Sequence, residues 1–70
     1  MYPLNRQILS RLRQGPLTPY QALAEFGCFR LAARILELRQ DGIEIKAIRI
    51  RVKNRNGKTA IISRYSLLRP

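Results

Sequence analysis

The side chains with the most chemical capacity in this sequence are its basic ones. In the stretch RIRVKNRNGK, Arg49 to Lys58, five of ten residues are basic: Arg49, Arg51, Lys53, Arg55 and Lys58. They alternate with Ile50 and Val52 and then run into Asn56-Gly57. A guanidinium keeps its charge and offers a planar fork of donors to phosphate oxygens. The chemistry these residues support is therefore anion binding rather than bond making. Catalysis has little to draw on. There is no His, and the acids are Glu25, Glu37, Asp41 and Glu44, none of which forms an evident catalytic pair. No Gly-rich phosphate loop and no cluster with metal-ligand spacing is present. Cys28 is alone, which excludes an internal disulfide, and without His there is no Cys-His nucleophile. In the turn between two helices it suits a small core position. The expectation is a chain without enzymatic activity, metal or cofactor.

The whole composition points the same way. Lys and Arg number 14 against 4 acids, a formal charge of +10, and 11 of the 14 are Arg. A small chain this basic repels itself when compact, which implies an anionic partner. Nucleic acid comes first, an anionic membrane surface second and an acidic protein third. The chain has 70 residues, enough for one domain, read as residues 1–70. A domain of this size buries only about 60% of its unfolded surface, so a bound partner or a second copy of the chain would add stability. At 46% hydrophobic residues it lies well above the disordered class. The lone cysteine favours a reducing interior, the cytoplasm or nucleoid of a cell. No run reaches the roughly 18 apolar residues of a membrane span. Arg6 and Arg11 interrupt what would be the apolar core of a signal peptide.

These basic residues need a scaffold. Leu4, Ile8, Leu9 and Leu12 recur at helical spacing, with Arg6, Arg11 and Arg13 off the stripe, which predicts a first helix over about 5–14. Such a basic amphipathic helix could lie on a membrane, but its stripe is read as core because the later segments need a surface to pack on. Gly15-Pro16 ends it. Thr18 is placed as an N-cap, Pro19 at the first helical position and Gln21 as the capping-box partner of a helix over about 19–26. Ala22, Leu23 and Phe26 would be its buried side. Gly27 ends it, and a third helix follows over about 29–41, with Leu31, Ile35 and Leu38 inward and Ala32 and Leu36 flanking them. Gly42 closes that helix.

The period then changes from about 3.6 to 2. Ile48, Ile50 and Val52 alternate with Arg49, Arg51 and Lys53, and Asn56-Gly57 is a hairpin signal. With those two residues as the turn, strands over about 46–54 and 58–67 would pair Val52 with Ile61, Ile50 with Ser63, Ile48 with Tyr65 and Arg49 with Arg64. That register puts Ile48, Ile50, Val52, Ile61 and Tyr65 on a face against the helices. It leaves Arg49, Arg51, Lys53 and Arg64 on the other. Like charges directly opposite are mildly destabilising, so retaining them would suit an anion. The alternative is a solvated face whose Arg stems cover Ala60 and Ile62.

The order of three helices followed by a hairpin resembles a winged helix-turn-helix, an α+β fold. The run TPYQALAEFGCFRLAARILELRQDGIEI, Thr18 to Ile45, is similar to a helix-turn-helix family frequent in phage and prophage genes. Thr18-Pro19, Phe26-Gly27-Cys28, Arg30-Leu31-Ala32, Arg34-Ile35, Leu38-Arg39 and Gly42 carry the likeness. One departure is that the helix-two position often occupied by Ala is read as Leu23, whose bulk would widen the spacing between the two helices.

The resemblance implies DNA binding, with the third helix as the recognition helix. Arg30, Ala33, Arg34 and Glu37 would face outward from it into a major groove, where Arg can pair with guanine. Arg34 could instead pair with Glu37 along the helix. Tyr20 and Gln21, in the first turn of helix two, would rest on a phosphate, or Gln21 would serve only as a cap. Arg49, Arg51, Lys53, Arg55, Lys58 and Arg64 would hold the backbone or reach a minor groove from the wing. The function this implies is a phage or prophage transcriptional regulator or an excisionase-like factor on double-stranded DNA. Two alternatives are an RNA-binding module and a phage-encoded inhibitor presenting the fold to a host protein. Few aromatics are available for base stacking, which weighs against single-stranded RNA.

Overall fold

The computed structural model describes residues 2–68. Helix α1 spans Pro3–Gln14, α2 Pro19–Phe26 and α3 Leu31–Gln40, and strands β1, Ile45–Lys53, and β2, Thr59–Leu67, form an antiparallel hairpin. This is the three-helix-plus-wing order expected from the sequence. Helix α1 begins two residues earlier than the expected start at about residue 5 because Pro3 stands in its first turn, where a missing N–H is no loss and φ is already helical. Its buried residues are Ile8, Leu9, Leu12 and, unexpectedly, Asn5.

The start of α2 is the capping box read from Thr18 and Gln21. The Gln21 N–H donates to Thr18 Oγ1 at 3.3 Å and the Thr18 N–H to Gln21 Oε1 at 3.0 Å. Gly27 stops the helix in the left-handed region, φ 65°, and its N–H donates to the Leu23 carbonyl at 2.9 Å. The buried side of α2 differs from expectation. Ala22 is fully buried while Leu23 is 41% exposed. The close approach to the neighbouring helices is thus made at Ala22, and Leu23 does not wedge them apart.

Helix α3 is shorter than its periodicity. Arg30 is its N-cap, so Phe29 stands in the interhelix turn rather than in the helix. Leu31, Ile35 and Leu38 are buried as expected, and so is Cys28. Leu36 is 55% exposed, not a flank of the core. At the far end the Arg39 guanidinium donates from Nε and Nη2 to the Ile45 carbonyl, at 3.1 and 2.8 Å, tying the helix to the first residue of the wing.

The register of the wing is one residue away from the expected one. Lys53 pairs with Thr59, Val52 with Ala60, Arg51 with Ile61, Ile50 with Ile62, Arg49 with Ser63 and Ile48 with Arg64. The reason is the loop. Asn54 and Lys58 close a three-residue connection, Arg55, Asn56 and Gly57, in place of a two-residue Asn-Gly turn. The Asn54 side-chain Oδ1 accepts from the N–H groups of Asn56 and Lys58, at 3.0 and 3.1 Å, and the Gly57 N–H donates to the Asn54 carbonyl at 3.0 Å. Only Gly57 has positive φ, 75°, and Asn56 does not. This is the three-residue hairpin loop that ends in a left-handed glycine, selected here by a side chain that satisfies two loop amides.

The one-residue shift reassigns every residue of β2. Tyr65 and Ile61 share a face with Arg49, Arg51 and Lys53, and Arg64 shares the other with Ile48 and Ile50. Ser63, not an Arg, lies opposite Arg49, so no like-charge pair is held across the strands there. The side of the hairpin that is covered also changes along its length. Near the base Ile45 and Tyr65 are buried; toward the tip Ile50, Val52, Ala60 and Ile62 are half-buried while Arg49, Arg51 and Lys53 are exposed. Two-stranded ribbons twist more than wide sheets, which carries the covered side from one face to the other.

The wing is held to the helices by a residue between elements. Leu17 bridges Tyr65, each N–H donating to the other's carbonyl at 2.8 Å. The Leu17 side chain is fully buried in the core with Ile8, Ile35 and Leu38.

Gly57→Val forces a β-branched residue into a backbone region it avoids, although nothing lies within 4 Å of the added Cβ. The substitution should loosen the wing tip and lower affinity for an anionic partner while circular dichroism keeps its helical signal. Unchanged affinity would remove the wing tip from the binding surface.

Candidate nucleic-acid interface

Arg49, Arg51 and Lys53 form an exposed row on one face of β1. Alternate residues of a strand lie about 6.6 Å apart, so the row presents three positive charges at regular spacing. Its cross-strand neighbours are Ser63, Ile61 and Thr59, none of them acidic. No salt bridge engages any of the three among the described residues. Arg55 and Lys58 are exposed at the tip, continuing the row. Arg64 is exposed as well, but on the opposite face of the hairpin.

Tyr20 joins this surface from another element. It is 61% exposed and, with Val52, Lys53, Asn54 and Arg55, lines a cavity of about 320 Å³. The first turn of α2 and the wing tip therefore meet. Gln21 contributes less than its position suggested, since both its side chain and its N–H are spent in the capping box. Pro19 has no N–H, which leaves little of that helix end free for an anion.

Helix α3 differs most from expectation. Arg30 is exposed at its N-cap. Ala33, Arg34 and Glu37, by contrast, are half-buried rather than outward. Arg34 Nε lies 3.3 Å from Glu37 Oε1, the intrahelical pair, and Glu37 Oε1 also accepts from Asn5 Nδ2 of α1 at 3.0 Å. That flank of α3 thus faces α1. The exposed apolar residues here are Ala32 and Leu36 of the helix and Phe29 of the turn before it, with Phe29 85% exposed. The sequence contains the signal for Asn5: it lies on the same i, i+3, i+4, i+7 stripe as Ile8, Leu9 and Leu12. Its polarity hid it. Once Asn5 is inward, Glu37 follows as its acceptor.

Three helices followed by an antiparallel two-stranded wing define a winged helix-turn-helix, a fold associated with DNA binding. A family model for the winged helix-turn-helix domain matches residues 3–70, and the chain belongs to that family. No curated protein and no solved structure matches it. Among the described residues no helix is long and apolar enough to cross a membrane.

Proposed function

We propose that this chain binds double-stranded DNA as a phage or prophage transcriptional regulator or excisionase-like factor, acting in the host cytoplasm or nucleoid. Helix α3 would enter the major groove. Arg49, Arg51, Lys53, Arg55 and Lys58 of the wing, with Tyr20 beside them, would hold the phosphate backbone. Arg30 is the basic side chain best placed to reach a base edge from the start of α3. Arg34 would first have to leave Glu37, and Arg64 stands off the row.

The observation that carries this reading is the unopposed basic row on the wing. Three charges fixed on a strand, with no acid across from them, are costly in a chain already at +10 unless an anion neutralises them. The test is a titration of duplex DNA over a range of salt. If about five phosphates are neutralised, the slope of log affinity against log salt should be near −4.5. A flat response would end the nucleic-acid reading. Capture of an acidic host protein by a chain indifferent to duplex DNA would support the inhibitor reading instead.

A further inference from the structure

We infer that α3 reads A·T-rich duplex through thymine methyl groups rather than guanine edges; the inference rests on the duplex-DNA reading above. Every polar side chain between the ends of α3 is already engaged. Arg34 is paired with Glu37 at 3.3 Å, and Glu37 also accepts from Asn5 at 3.0 Å. Arg39 donates twice to the Ile45 carbonyl. Only Arg30 at the start and Gln40 at the end remain exposed without such a partner. Between them Ala32 and Leu36, four residues apart, are exposed on one side of the helix, and the exposed Phe29 stands in the turn just before the N-cap. Phe29 is 85% and Leu36 55% exposed.

A stripe of this kind offers base edges neither donor nor acceptor. It does offer contact to the thymine C5 methyl, the apolar group that the major groove displays. Guanine is recognised there chiefly by bidentate Arg or Lys; on the body of α3, Arg34 is held by a carboxylate on the flank turned to α1, and the exposed Arg39, three residues beyond Leu36, spends Nε and Nη2 on the Ile45 carbonyl. The occupant is taken to be a duplex on charge. The only carboxylate on the body of α3 is turned to α1, and the wing adds an unopposed basic row. A second copy on the stripe would bring two chains of +10 together.

The test starts from duplexes that the wild-type chain selects out of a random pool. These are resynthesised with deoxyuridine in place of thymidine, which deletes the C5 methyl and keeps base pairing. The selected core should be A·T-rich, and the uracil version should bind about fourfold more weakly for each methyl touched, the effect of exposing one methyl-sized group. Leu36→Ala and Phe29→Ala alter exposed side chains and should keep the wild-type circular dichroism. Each should bind more weakly than wild type and lose much of the thymine-over-uracil preference. A G·C-rich selected core, or equal binding of the thymine and uracil duplexes with the salt dependence intact, would overturn this inference and leave the duplex reading standing. Absence of any salt-dependent duplex binding would remove both. Capture of an acidic protein that Leu36→Ala abolishes, without duplex binding, would give the stripe to a protein partner.

Discussion

Replacing Arg49, Arg51 and Lys53 together by Thr should leave the fold intact and flatten the salt dependence of duplex binding from a slope near −4.5 to about −2. Each phosphate contact contributes about −0.9 to that slope through released counterions, and the row accounts for three. Between 50 and 200 mM salt the wild type should lose affinity by about five hundredfold, and the triple variant by only about tenfold. Thr suits a strand and avoids confusing lost charge with lost structure. All three positions are exposed, and their partners across the hairpin are Ser63, Ile61 and Thr59. The melting temperature should hold or rise, since self-repulsion falls. The measurement is a set of binding isotherms at four or more salt concentrations, with thermal melts as the control. A variant with the wild-type slope would mean that this face of the wing does not touch the backbone. Arg64→Thr, on the opposite face, is the comparison and should change the slope less.

Leu38→Ala should unfold the chain at ambient temperature. Leu38 is fully buried in α3 within the same cluster as Ile8, Leu17 and Ile35. Truncating a buried Leu typically costs 2–5 kcal/mol, from lost transfer energy plus the cavity left behind. A domain near 70 residues rarely has more than about 3–5 kcal/mol from its core. The two figures meet, so the substitution should abolish the cooperative thermal transition and most of the helical circular dichroism. Leu36→Ala, two residues earlier, removes a side chain that is 55% exposed. It should change stability by no more than about 0.5 kcal/mol. The pair separates burial from helix propensity, because both substitutions put Ala in the same helix. A cooperative, near-native melt for Leu38→Ala would show that the core carries a wider margin than its size implies. Equal loss in both variants would place Leu36 inside, against the geometry described above.

The two leucines show where local reading stops. Leu31, Ile35 and Leu38 repeat at helical spacing and are legible as one stripe. Leu36 differs from Leu38 only in direction, and the width of a buried stripe depends on what is packed beside it. Asn5 makes the same point in reverse. It lies on the buried stripe of α1, yet its polarity argues for solvent until Glu37 of α3 supplies the acceptor at 3.0 Å. That pairing joins residues 32 positions apart, and no local pattern encodes it. Leu17 is a single residue between a Gly-Pro break and an N-cap. A one-residue bridge to Tyr65 has no periodicity to detect, although it anchors the wing to the core.

The sequence by itself determined the element order, the capping box at Thr18 and Gln21, the stops at Gly27 and Gly42, and the basic character of one face of β1. These depend on spacing within an element or on a side chain bonding its own backbone nearby, so a few neighbouring residues suffice. Only the tertiary structure decided which residues of β2 lie beside those charges, because the Asn54 side chain chose a three-residue loop and a shift of one residue exchanges the faces of a strand. It also decided which side of α3 is free. That choice follows from the packing of α1 and the pairing of Arg34 with Glu37, and it turns Phe29, Ala32 and Leu36 outward where the helical pattern alone pointed to Ala33, Arg34 and Glu37.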